Sequence, residues 1–274
     1  MTYMESAARN FRERIKNVFP DSAKLPNIST IHGLALRILK ENNNFERLGL
    51  DGNFEICDDT MRDRIIKKIS ADMKLGKTEI SEYDRALSIH KFSQVENCFS
   101  TEKKLKTFLE FFEKYKNELA EKNLIDYDDI LLYSVKILEK FDDIRVYYQD
   151  LCLYVIEDEA QDSSSLQQKL INLLSAKNNN LIRCGDINQS ITTTFSNADV
   201  EGFKRFNQEN HNVSMDCSQR CTHDIWALAN ELILWAESKP ELKSSFYPIF
   251  MKPIEGKNPI SQNAVKYLIF EASQ

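Results

Sequence analysis

"LCLYVIEDEAQDSSSL", residues 151–166, runs from a short apolar stretch directly into four acidic residues with a glutamine among them. The run Leu151–Ile156 reads as a strand covered on both faces, the kind found in parallel α/β sheets, whose ligands gather at the carboxyl ends of the strands. Asp158 and Glu159 therefore stand where a metal ion or a reacting phosphate binds. The pair alone fits two readings equally. Its carboxylates suit holding Mg²⁺ and polarising a water, and acidic residues are equally favoured at a helix N-terminus, here ahead of "SSSLQQKLINLL".

Outward from this strand, helices and strands alternate. Helix 126–140 precedes it; helix 164–174, strand 180–185, helix 199–208, strand 212–216 and helix 222–237 follow. Upstream, residues 5–19 carry Ala7, Ala8, Phe11, Ile15 and Val18 at helical spacing, Ile28–Ile31 fits a strand, and 32–41 fits a helix. Between these halves, residues 58–121 are mostly charged amphipathic helix. In "EKKLKTFLEFFEKYKNELAEK" the apolar stripe is Leu105, Phe108, Leu109, Phe112 and Leu119, and the block reads as an insertion. A last strand fits "AVKYLIFEA" near the end of the chain. Only seven glycines and six prolines suit long helices with short connections. The alternation predicts an α/β fold around a parallel sheet, with no internal repeat.

At 274 residues and 42% hydrophobic content, the chain can bury one large core or two to three smaller ones. Nothing approaches the ~18 consecutive apolar residues of a membrane span, and "MTYMESAARNFRERI" lacks a signal-peptide core, so a soluble, cytoplasmic protein without membrane contact is expected. Its six cysteines include no CxxC pair, which argues against a zinc site or disulfide framework and for reduced thiols. A net charge of −6 gives no global basic signature, so any nucleic-acid contact must come from a local surface.

Three further stretches join the acidic strand end. "GDINQSITTTF" (185–195) follows the next strand, "SMDCSQRCTHDIWALAN" (214–230) sets Arg220 just before a helix, and "LIDYDDILLYSVKIL" (124–138) precedes the acidic strand. Together with "TYMESAARNFRERI" (2–15) and "STIHGLALRIL" (29–39), the ordered set resembles the UvrD/Rep-like superfamily 1 DNA helicases: motif Ia, a T-x-H element, a D-[FY]-D-D segment, motif II, motif III and motif IV. The resemblance implies a P-loop NTPase-like (RecA-like) parallel sheet with a helical insertion: motor domain 1A over 1–50 and 122–208, insertion subdomain 1B over 51–121, and the start of motor domain 2A over 209–274. It implies ATP and Mg²⁺ as cofactors. Asp158 would hold the metal, Glu159 would activate the attacking water, and Gln161 and Asp162 would complete motif II. Gln189 would sense the γ-phosphate, and Arg220 would reach it as an arginine finger. Single-stranded DNA and duplex junctions are the implied partners, with repair or recombination proteins beside them. Tyr3, Thr30 and His32 would follow the strand, and Phe195 would stack on a base.

Departures from the family pattern sharpen these expectations. Phe195 comes one place late with no arginine beside it, and Gln219 stands where tyrosine is usual. The phosphate-cradling G-x-x-x-x-G-K-[ST] is absent ahead of motif Ia. The one "GKT", Gly76–Thr78 in "ADMKLGKTEI", has Ala71 for the first glycine and follows an amphipathic helix, so it reads as a decoy. The chain thus looks like a helicase truncated at both ends. Three readings stay open: a fragment of an ATP-dependent helicase, a nonenzymatic helicase-like module that binds DNA or protein, and the helicase subunit of a helicase–nuclease.

Overall fold

The computed structural model describes residues 1–2, 4–20, 25–92, 99–190, 198–242, 247, 249–252 and 254. Among these the helices are α1 (Glu5–Val18), α2 (Ile31–Lys40), α3 (Asp59–Asp72), α4 (Lys77–Phe92), α5 (Glu102–Glu121), α6 (Tyr127–Lys140), α7 (Asp142–Leu151), α8 (Ser165–Ser175), α9 (Val200–Glu209) and α10 (His223–Glu237). The strands are β1 (Glu55–Ile56), β2 (Leu124–Ile125), β3 (Val155–Glu157) and β4 (Leu181–Arg183). The fold is α/β and mostly helical, with small parallel sheets. Among the described residues no helix is long and apolar enough to cross a membrane.

The chain divides into two compact units, one of Met1–Asp186 with Ser190–Phe203 and one of Ile187–Gln189 with Lys204–Gln274. The first unit holds two hydrophobic cores. Helix α2 begins where Thr30 is extended and its hydroxyl accepts the Gly33 N–H at 3.0 Å, and it buries Leu34, Ala35, Ile38 and Leu39. These side chains pack against Ile130, Val135 and Leu138 of α6, Tyr148 of α7 and Leu170, Ile171 and Leu174 of α8. Reciprocal capping boxes fix the starts of α6 (Asp126 with Asp129) and α8 (Ser164 with Gln167).

The second core lies in the helical block. Ile65, Ile66 and Ile69 of α3, Tyr83 and Leu87 of α4 and Phe108, Phe111, Tyr115 and Leu119 of α5 bury one another. The buried stripe of α5 is rotated from the one its sequence suggests: Phe111 and Tyr115 lie inside, while Leu109 is 38% exposed. Parallel pairing of β1 with β2, Glu55 opposite Leu124 and Ile56 opposite Ile125, closes the two ends of this block against each other. Two-residue strands carry no periodicity, so this clasp was not legible in the sequence. Helix α7 lies outside the elements that periodicity predicts, and it takes up Leu151 of the expected strand.

Strand β3 is shorter than expected and is not covered on both faces. Val155 and Glu157 point into the core, whereas Ile156 is 53% exposed and Ile182 of β4 is 49% exposed. Its burial alternates with the two-residue period of a one-sided strand. The expected strand at 212–216 does not form among the described residues; Val213 and Met215 are exposed, and a single parallel bridge joins Cys217 to Lys252. The expected strand at Ile28–Ile31 reduces to one bridge, Thr30 with Thr2, because Ile31 opens α2. The tail stretch "AVKYLIFEA" lies outside the described residues.

Candidate functional site

Strand β3 sits at the centre of a parallel layer. On one side β4 pairs with it, Glu157 opposite Arg183. On the other, the Met1 nitrogen donates to the Ile156 carbonyl at 2.5 Å and the Asp158 N–H to the Met1 carbonyl at 2.9 Å, the slanted pattern of a parallel pair about Glu157. Thr2 then donates to the Ser29 carbonyl at 3.2 Å and bridges Thr30. Four segments thus run parallel, with Thr30, Asp158 and Glu159 at or just past the carboxyl ends of theirs.

Glu157 lies under this layer, fully buried. Its carboxylate accepts Arg183 Nε and the Ser163 hydroxyl, each at 2.5 Å. Arg183 also donates to Gln168 Oε1 at 3.1 Å, and its guanidinium lies 5.3 Å from the centroid of the Phe203 ring. An isolated buried charge is costly, so this pair holds only because each member meets the other with further hydrogen bonds. The sequence offered a signal for it, since opposite charges interrupt consecutive apolar strands at "VIE" and "LIR".

Beyond Glu157 the chain turns sharply. Glu159 has φ of 55° and ψ of 43°, a left-handed conformation that a residue with a side chain adopts at a cost and that gathers at functional turns. Asp158 is half-buried and Glu159 is exposed. Gln161, buried, donates from Nε2 to Glu159 Oε2 at 2.8 Å and accepts the Asp186 N–H at 3.1 Å through its own carbonyl. One amide thereby fixes the Glu159 carboxylate to the loop after β4. The Ala160 N–H donates to the Cys184 carbonyl at 2.9 Å. A Cβ on Gly185 would come within 2.5 Å of Gln161 Oε1 and 3.1 Å of the Ala160 nitrogen, so the close approach of the two loops requires glycine there. Asp162 closes the turn, its N–H donating to the Glu159 carbonyl at 3.0 Å.

His32 is half-buried on α2, its ring edge-on to Tyr127 with centroids 6.1 Å apart, and burial holds its pKa below the ordinary 6.5. Tyr3 and Phe195 lie outside the described residues.

Gln189 and Arg220 belong to the second unit. There Asn188 pairs its amide with the Tyr247 backbone at 2.8 and 2.7 Å, and Asn230 of α10 pairs in the same way with Met251 at 2.8 Å for both bonds. Gln189 is exposed at the end of a short 3₁₀ turn, and exposed Arg220 precedes α10 in a turn held by the Ser218 hydroxyl, which accepts the Cys221 N–H at 3.0 Å.

Oxygen donors on Asp158 and Glu159 suit a hard cation such as Mg²⁺, which keeps several waters and takes one or two carboxylates with substrate phosphates. Gly76–Thr78 does not suit a phosphate. Gly76 stands just before α4, whose first residues are Lys77 and Thr78, and the Glu79 carboxylate already accepts the Gly76 N–H at 2.9 Å.

The family described as UvrD/REP helicase N-terminal domain matches residues 1–211. The ATP-dependent DNA helicase PcrA of Staphylococcus aureus is 27% identical over 245 residues, covering 85% of this chain and 33% of that protein. The ATP-dependent DNA helicase PcrA of Staphylococcus epidermidis is 26% identical over 254 residues, covering 88% and 34% respectively. The chain spans about a third of the length of these curated relatives. With the family match running through every element of the parallel layer and the acidic turn it carries, the chain belongs to the UvrD/REP helicase N-terminal domain family.

Proposed function

We propose that this chain is part of an ATP-dependent DNA helicase that couples Mg²⁺-ATP hydrolysis to movement along single-stranded DNA and to opening of duplex junctions. In this reading residues 1–50 and 122–208 form a RecA-like motor domain 1A, 51–121 the insertion 1B, and 209–274 the start of domain 2A. The observation that carries it is the Glu159 turn, whose carboxylate is presented at the end of a central parallel strand and tied by Gln161 to the loop of β4. Repair or recombination proteins as partners and a cytoplasmic location accompany the reading.

Asp158 would hold Mg²⁺. When bound, the ion neutralises charge on the nucleotide phosphates. Glu159 would take the proton of the attacking water. Gln161 engages only Oε2 and turns the carboxylate toward the β4 loop, leaving Oε1 for that water. Gln189 and Arg220 would answer the γ-phosphate, and Thr30, His32, Tyr3 and Phe195 would follow the strand.

In a polypeptide carrying a P-loop segment ahead of Met1, Glu159→Gln is expected to keep Mg²⁺-ATP binding and lose most turnover, because the near-isosteric amide cannot accept the proton. Turnover at the parent rate would remove Glu159 as the base. The 274-residue chain alone is expected to hydrolyse no ATP. DNA-stimulated turnover by it, abolished by Glu159→Gln, would return Gly76–Thr78 to consideration.

A further inference from the structure

The helical block meets α6 through a charged cluster that the nucleotide chemistry does not use. Lys91, near the end of α4, sets its ammonium 5.8 Å from the centroid of the Tyr115 ring at the edge of the aromatic core and onto the first turn of α6. Its Nζ lies 2.5 Å from Asp126 Oδ2 and 2.8 Å from Asp129 Oδ1, and the side chain is 4% exposed. Tyr115 of α5 donates its hydroxyl to the same Asp126 oxygen at 3.0 Å, and Ser88 of α4 donates to Asp128 at 2.6 Å. Asp126 and Asp129 are also the two halves of the α6 capping box. Contacts from α4 and α5 therefore converge on the residues on either side of Tyr127.

Tyr127 is itself about half exposed, and its ring is the one that stands edge-on to His32. His32 lies one residue into α2, whose cap Thr30 pairs with Thr2 in the parallel layer. A continuous path of contacts thus runs from α4, through the start of α6, to the head of α2. Its first link is the stiffest. Without Lys91, two buried carboxylates would share one helical turn and lose the cation hydrogen-bonded to both, and that turn would open toward water.

We propose that Lys91 is a positioning residue, which through Asp126 and Asp129 seats the helical block on α6 and so sets the Tyr127–His32 contact through which His32 meets a nucleic-acid strand. This rests on the reading of His32 under Proposed function for its last step only, and two measurements separate the parts.

The first needs no nucleic acid. The His32 imidazole is titrated by NMR in the full chain, its signal assigned by its loss in His32→Gln, and the titration is repeated in Lys91→Met, Lys91→Arg and Lys68→Met. Burial depresses the His32 midpoint, so release of Tyr127 is expected to raise it toward 6.5 in Lys91→Met. Lys91→Arg should hold the parent value. Lys68→Met, which breaks the exposed pair with Glu118, should hold it too. An unmoved midpoint in folded Lys91→Met, or an equal rise in Lys68→Met, overturns the proposal. Should Lys91→Met not fold, Asp129→Asn keeps the shape and one accepting oxygen and carries the same test with a smaller rise. The second measurement is binding of a single-stranded oligonucleotide at low salt, expected to weaken roughly three- to tenfold in Lys91→Met. A parent chain that binds no strand overturns the nucleic-acid reading of His32, while the midpoint separately decides the positioning role. A parent that binds, with Lys91→Met binding equally, overturns the link from Lys91 to the strand.

Discussion

The helical block and the parallel layer solve burial in opposite ways. Between Cys57 and Leu124, isoleucines from α3 and aromatic rings from α4 and α5 close on one another, with Tyr83, Phe108, Phe111 and Tyr115 wholly buried. In the layer, Val155 is buried beside the ionised pair Glu157–Arg183, while Tyr154, Ile156 and Ile182 keep an apolar face open. Amphipathic helices complete a core with their immediate neighbours. A parallel strand has two faces and depends on what the rest of the fold lays over them. The difference teaches that hydrophobic character forecasts burial in this chain only where the element can supply its own partners, and that the layer relies on charge pairing where the block relies on packing.

The largest expected effects test that contrast directly. Arg183→Ala leaves Glu157 as a buried charge without its cation and should destabilise the first unit by about 3–5 kcal/mol in urea unfolding followed by circular dichroism. Replacing both partners, Glu157→Leu with Arg183→Met, should recover most of that loss. A loss below about 1 kcal/mol for Arg183→Ala would mean that the layer does not lean on the pair.

Phe108→Ala in the block should cost about 3–5 kcal/mol through lost transfer energy and an unfilled cavity, whereas Ile156→Ala in the layer should cost less than about 1 kcal/mol. Similar losses at the two positions would erase the contrast between a closed core and an open strand face.

A smaller effect concerns acidity. Burial pushes Asp129 up to about 6, with Lys91 opposing and the Asp126 charge adding to the rise. An acid whose folded value lies above its unfolded 3.8 binds its proton more tightly when folded, so its contribution is favourable below that value and is lost as pH rises toward 6. For Asp126, burial pushes upward, but the Lys91 charge together with hydrogen bonds from Lys91, the Asp129 N–H and Tyr115 holds the carboxyl low, so its contribution is present above 3.8 and lost as pH falls. Asp129→Asn removes the first effect. As pH falls from about 6 to 3.8, the parent should therefore gain stability relative to Asp129→Asn, and parallel pH profiles would remove Asp129 from the account. The smallest expected change is at the caps: Thr101→Ala, at the head of α5, should cost about 1 kcal/mol, as should Thr30→Ala at the head of α2.

Much of the helical framework was legible. The starts of α2, α6 and α8 follow from Thr30, Asp126 and Ser164 ahead of periodic apolar residues, and these caps act within four residues of chain. Less was legible in the strands. Leu151–Ile156 carries the composition of a two-sided strand, yet Leu151 closes α7 and Ile156 is exposed, because composition does not reveal which neighbour covers a face. At the site, Asp158, Glu159 and Gln161 could be singled out from their order after an apolar run. That Gln161 would grip Glu159 with one end of its amide and the Asp186 N–H with the other could not, since the partners lie up to 25 residues apart and meet only when β3 and β4 pair.

The amino-acid sequence by itself determined most of the helices and the family, because capping, periodicity and ordered motifs act over a few residues and survive any arrangement of the whole. Only the tertiary structure decided that Glu157 and Arg183 neutralise each other beneath the site, that Gly185 must lack a side chain, and that Lys91 ties the helical block to α6. Each of these depends on the desolvation of groups distant in sequence, and the cost of a buried charge or a close approach exists only once folding has brought both partners out of water.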